Sequence, residues 1–82
     1  MFTMTEAGMA LDTLHGTVNS YVRGPRGRKP GATFENVSRQ VERARKASVP
    51  EEVIRGTIRK AAIESPDAIP DRIERIMQHY LD

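Results

Sequence analysis

The sequence predicts an all-α protein: a compact bundle of about four short helices in one domain over 1–82, with a basic Gly/Pro loop between helices 1 and 2. Three observations lead there. Apolar residues recur at spacings of three and four, and nowhere do they alternate with polar ones as in a half-buried strand. Gly-Pro and Ser-x-Pro groups interrupt the periodic stretches. With two Tyr, two Phe and no Trp among 82 residues, the core must come from Val, Ile, Leu, Met and Ala, a composition suited to packed helices.

The first helix is expected over 3–22. Thr3 and Glu6 have the spacing of a capping box, and Ala7, Leu11, Leu14, Val18 and Tyr21 or Val22 follow on one face. Gly8 and Gly16 each weaken it by roughly 1 kcal/mol relative to Ala, so it must rely on packing. Gly24-Pro25 ends it and opens the loop 23–32, whose core RGPRGRKPG holds four positive charges, three glycines and two prolines. Thr33 can cap a second helix over 33–47, with Glu35 in its first turn and Phe34, Val37, Val41 and Ala44 as its buried stripe.

Ser48-Val49-Pro50-Glu51 has the pattern of another capping box with its proline in the first turn, starting a third helix over 49–63. That helix should bury Val53, Ile54, Ile58, Ala61 and Ala62. Ser65-Pro66-Asp67 breaks it, and Pro70 suits the first turn of a fourth helix over 69–81. Its apolar face comprises Ile69, Ile73, Ile76, Met77, Tyr80 and Leu81, a surface on which a second copy could form a homodimer.

Charge is segregated along the chain. Residues 1–22 carry two acids and no Lys or Arg (−2), residues 23–60 carry eleven bases against four acids (+7), and residues 61–82 carry two bases against five acids (−3). The basic middle places Arg23, Arg26, Arg28 and Lys29 in the loop around Gly27. It places Arg39, Arg43 and Lys46 on one side of the second helix, with Arg45 at the edge, and Arg55, Arg59 and Lys60 on the third. Positive charge laid along a surface, beside glycines that let backbone approach closely, is what a nucleic-acid backbone asks for.

Two local resemblances point the same way. Pro25-Arg26-Gly27-Arg28 resembles the core of AT-hook peptides, and Arg26-Gly27-Arg28-Lys29-Pro30 resembles the Arg/Gln-Gly-Arg-x-Pro loop of bacterial xenogeneic silencers of the H-NS and Lsr-type families. That likeness implies Arg26 and Arg28 entering an A·T-rich minor groove. Further on, ARKASVPEEVIRGTIRK, residues 44–60, is similar to the helix-turn-helix stretch in the N-terminal domain of YebC-type regulators. Ala44, Arg45, Ala47, Pro50, Ile54, Ile58 and Lys60 carry the match, which implies DNA-binding regulation or assistance to translation.

Other chemistry finds little footing. No cysteine means no disulfide and no thiolate metal site. His15 and His79 have only Asp12 and Asp82 three residues away, short of a four-ligand zinc set within either helix. RGPRGRKPG lacks the G-x-x-x-x-G-K-[ST] spacing of a phosphate-binding loop and follows no strand. Glu51, Glu52, Glu64 and Glu74 are accounted for by helix starts and ion pairs. No apolar run approaches the roughly 18 residues of a membrane span, and the N-terminus lacks the basic start and apolar block of a signal peptide.

The expectation is thus a non-enzymatic cytoplasmic protein without cofactor, nucleoid-associated if it binds DNA. Its function would be that of a small DNA-binding regulator using Arg23, Arg26, Gly27, Arg28, Lys29, Arg39, Arg43, Lys46, Arg55, Arg59 and Lys60. The alternative is an adaptor or inhibitor, of the phage or plasmid accessory type, that meets a protein partner with an acidic surface through the same bases.

Overall fold

A computed structural model of the protein describes residues 6–81. The helices are α1 (Glu6–Arg23), α2 (Phe34–Lys46), α3 (Glu51–Ile63) and α4 (Pro70–Ile76), the last continued by a π-helical turn over Met77–Leu81. The result is an all-α compact bundle, with no strand among the described residues. Thr3 of the expected first capping box lies outside the described residues.

The helix α1 forms the centre. Ala10, Leu14, Val18 and Val22 are fully buried and Tyr21 nearly so, while Ala7 and Leu11 sit half-buried at the edge of that stripe. Both α2 and α3 pack along this face and touch each other little. They contribute Val37, Val41 and Ala44, and Ile54, Ile58, Ala61 and Ala62; Ile76 of α4 completes the core. α2 and α3 are joined by a short connection over 47–50 and share α1 as their support.

Thr33 caps α2 as its position predicts. Its hydroxyl accepts from the Asn36 N–H at 3.1 Å, and the Asn36 side-chain oxygen accepts from the Thr33 N–H at 2.9 Å, so an amide completes the reciprocal box. The end of α2 corrects the expectation for α3. Ser48 does not cap α3: it adopts φ +65°, and its N–H bonds the Arg45 carbonyl at 3.0 Å while the Val49 N–H bonds the Ala44 carbonyl at 3.1 Å. These two bonds make a Schellman C-cap, with Val49 tucked into the core as its apolar plug. A residue committed to that reversal cannot also serve as an N-cap. Pro50 takes the N-cap position without a side-chain cap bond, so α3 begins at Glu51 rather than Val49.

The apolar faces of α3 and α4 differ slightly from those expected. Val53 is 43% exposed because it lies about 100° around the helix from Ile54, which is buried. On the last helix, Ile76 is fully buried and Ile73, Tyr80 and Leu81 are partly so, but Ile69 and Met77 are exposed. Ile69 serves instead as the N-cap of α4, with Pro70 in the first turn as anticipated.

The loop between α1 and α2 is closed at its base. Gly24 and Gly31 both have left-handed φ, +75° and +77°, and a Cβ on Gly31 would lie 2.9 Å from the Gly24 carbonyl oxygen. Only glycine allows the two ends of the loop to meet this closely. Gly31→Ala should therefore destabilise the protein by about 1–3 kcal/mol in urea unfolding, since left-handed backbone strain and a backbone clash combine. Ser48→Gly should act in the opposite sense. Relief of about 1–2 kcal/mol of left-handed strain outweighs the extra freedom of the unfolded chain, for a net gain of about 0.5–1 kcal/mol.

Candidate nucleic-acid interface

Arg26 and Lys29 exchange both backbone hydrogen bonds, each N–H donating to the other's carbonyl at 2.9 Å. Gly27 and Arg28 are then the two central residues of a hairpin turn, and a positive φ of +55° at Gly27 with none at Arg28 is the sign pattern of type II′. RGPRGRKPG is thus a folded turn rather than an extended arm. Its tip presents Arg28 and Lys29 to solvent.

Arg26 is drawn to one side. Its guanidinium donates to Asp67, which stands on the α3–α4 connection. Arg23 lies at the C-terminal end of α1, half-buried, with its Nη1 3.4 Å from the Asn19 side-chain oxygen. These two loop-region arginines face the body of the protein more than the tip does.

On α2, Arg39, Arg43 and Lys46 recur at four and three, on the side away from the Val37–Val41–Ala44 stripe, and all three are exposed. Arg45 sits on the flank and is committed internally. It donates to Glu42 at 2.6 Å and to Glu51 at 2.9 Å, and those carboxylates, Glu42 first, push its pKa further above the ordinary arginine value. On α3, Arg55 and Arg59 share a flank one turn apart, and Lys60 is rotated about 100° from Arg59. Arg59 borders an apolar groove with Ile63, Ile73 and Met77, in which Ile63 is 72% exposed.

The eleven bases of 23–60 therefore divide by partner. Arg26 and Arg45 are ion-paired, and Arg23 is hydrogen-bonded to an amide. The other eight, Arg28, Lys29, Arg39, Arg43, Lys46, Arg55, Arg59 and Lys60, are exposed with no acidic partner in ion-pair range among the described residues. They form a turn tip, a stripe on α2 and a flank on α3, with Lys60 separate.

A second constellation escaped the linear reading. Phe34 stacks on Tyr80 at 5.9 Å and meets Tyr21 and His79 edge-on at 5.7 and 5.1 Å, while the Tyr80 and Ser38 hydroxyls share a hydrogen bond of 2.9 Å. Two arginines of the acidic C-terminal third cover it. Arg75 lies 4.1 Å over the Phe34 ring, and Arg72 lies 4.9 Å over Tyr21 while donating to the Tyr21 carbonyl at 2.9 Å. Periodicity carries no signal for contacts between helix ends so far apart in sequence. His79 is thereby an aromatic packing partner, and no group of three or more metal-ligating side chains occurs among the described residues. Nor is any described helix long and apolar enough to cross a membrane.

The Arg26–Asp67 pair is open to water on both sides, so it can contribute only about 0–1 kcal/mol. Asp67→Asn should accordingly shift the unfolding free energy by less than about 1 kcal/mol in chemical denaturation. Comparison with protein-family models, curated proteins and solved structures finds no match to the chain.

Proposed function

We propose that the protein binds duplex DNA through its phosphate backbone, as a small non-enzymatic regulator. The observation that carries this reading is the set of eight exposed bases with no acidic partner among the described residues. Ordinary surface solvation intersperses both signs of charge; here, among the described residues, acids pair only with Arg26 and Arg45 within the basic segment.

The stripe on α2 has the right dimensions. Seven residues at 1.5 Å rise spread Arg39, Arg43 and Lys46 over about 10 Å of helix, a length over which one strand of B-DNA advances about three phosphates along the duplex axis. Arg28 and Lys29 at the turn tip add two further contacts, and Arg55 and Arg59 offer a third edge. The similarity of residues 44–60 to YebC-type regulators supports the same reading, since the α2–turn–α3 arrangement is the element on which that likeness falls.

Backbone contact is favoured over minor-groove reading by the turn. An extended Arg-Gly-Arg segment in a groove would have to break both Arg26–Lys29 hydrogen bonds, at about 0.5–1.5 kcal/mol each, and release Arg26 from Asp67. Closed, the turn can hold phosphates without rearrangement.

Titration of A·T-rich and G·C-rich duplexes at several salt concentrations tests the proposal. Five phosphate contacts predict a slope of log affinity against log salt of about −4 to −5, similar for both duplexes, and Arg39→Ala/Arg43→Ala/Lys46→Ala should reduce its magnitude by about 2.7. Binding to neither duplex at low salt would refute the reading and leave the bases to an acidic protein partner. A marked preference for A·T-rich sites lost in Arg26→Ala/Arg28→Ala would instead establish groove insertion.

A further inference from the structure

Between the last turn of α1 and the Arg26–Lys29 turn lies a cleft of about 180 Å³ whose wall includes Asn19, Ser20, Arg23, Arg26, Lys29 and Gly31. No acidic residue lines it. We propose that this cleft seats a phosphate group, which on the DNA-binding reading above is a backbone phosphodiester held at one fixed point.

The first support is an unmet donor. Among the described residues the Arg23 Nε is buried without a hydrogen-bond partner, and the one bond the guanidinium makes, to Asn19 at 3.4 Å, is longer than the usual 2.7–3.2 Å. A donor nitrogen of a half-buried guanidinium left unpaired is costly, and an oxyanion in the cleft, met by a small rotation of the side chain, is the partner that best relieves it. Its neighbours are suited to the same ligand. Lys29 is exposed and unpaired by any described acid, and Arg26 is held in place by Asp67, which is not part of the wall. The Ser20 hydroxyl accepts from the Ala32 N–H at 3.0 Å, which leaves its own proton to donate.

The end of a helix normally repels an anion. Here three of the last four carbonyls of α1 are already occupied: Ser20 accepts from the Gly24 N–H at 3.1 Å, Tyr21 from Arg72 and Val22 from the Ile69 N–H at 2.7 Å. The opposing charge is thus largely spent on internal donors. Size sets the ligand class, because about 180 Å³ is below the 300–1,000 Å³ of pockets that enclose whole small molecules. A phosphate enters while the sugar and base attached to it remain outside. Donors from two elements, α1 and the turn, also suit a tetrahedral group better than a planar carboxylate.

Nuclear magnetic resonance of the full chain tests this directly. Inorganic phosphate, added against chloride at matched ionic strength, should produce saturable shifts in the Arg23 Nε–Hε signal and in the Gly24, Lys29 and Gly31 amides. Arg39, Arg43, Arg55 and Arg59 should respond to the two salts alike. Lys29→Gln, on an exposed side chain, should weaken the phosphate response about threefold or more. Shifts identical in phosphate and chloride, or spread evenly over all arginines, would overturn the site. A DNA arm separates this outcome from that of the preceding proposal. Arg23→Lys keeps the charge and should weaken duplex binding about threefold or more at an unchanged salt slope. Unchanged duplex affinity in that variant would remove the cleft from DNA binding while leaving the α2 stripe in place, and phosphate shifts without any duplex binding would make free phosphate its ligand.

Discussion

The C-terminal end of α1 is the point on which the rest of the architecture depends. A helix that ends inside a protein leaves carbonyls that must find donors, because an orphaned buried acceptor costs as much as several favourable contacts provide. Three of them, on Ser20, Tyr21 and Val22, are met by one donor just beyond the helix, the Gly24 N–H, and two from far along the chain, the Arg72 guanidinium and the Ile69 N–H. Each donor fixes a different segment. Gly24 sets the departure of the basic loop, Ile69 docks the α3–α4 connection, and Arg72 orients α4. A second tie of the same kind joins α1 to the end of α3, where Ser65 accepts from Asn19 at 2.7 Å and donates to the Ala61 carbonyl at 3.0 Å.

Around that anchor the arginines take two different tasks. Those of the C-terminal segment are structural: Arg72 and Arg75 cover the faces of Tyr21 and Phe34, where a flat, weakly hydrated cation gains from the ring and still reaches water. Those of the middle segment, Arg23, Arg26 and Arg45 apart, point to solvent without a carboxylate to meet them among the described residues. Uncompensated like charge on a small protein is mildly destabilising, and a polyanionic partner reverses that penalty. Satisfied and unsatisfied arginines thus stand side by side within one chain, and the unsatisfied ones are those a polyanion would meet.

The helices themselves were legible in one dimension because their signals are local. The stripes Leu14–Val18–Tyr21 and Val37–Val41–Ala44 follow from spacing, and Thr33 from its place before Phe34. Local signals also misled where one residue could serve two ends. Ser48 fits an N-cap by type, yet it became the left-handed residue that closes α2, because the chain must reverse within the few residues before Glu51 and the Schellman bonds satisfy two carbonyls at once. Val53 stands outside the core because it lies about 100° around α3 from the buried Ile54.

The candidate site divides along the same line. Which bases stand on the exposed side of α2 was set by periodicity alone, since Arg39, Arg43 and Lys46 fall opposite an apolar stripe that had to face inward. The all-α class, the helix stripes and the segregation of charge were likewise determined by the sequence by itself. Tertiary structure decided which arginines remain available and what the loop becomes. Asp67 lies 41 residues from Arg26 and Tyr80 lies 46 from Phe34, and no periodic pattern encodes such meetings. They depend on where the packed helices bring their ends, and at those ends the unmet carbonyls of α1 select which donors come together.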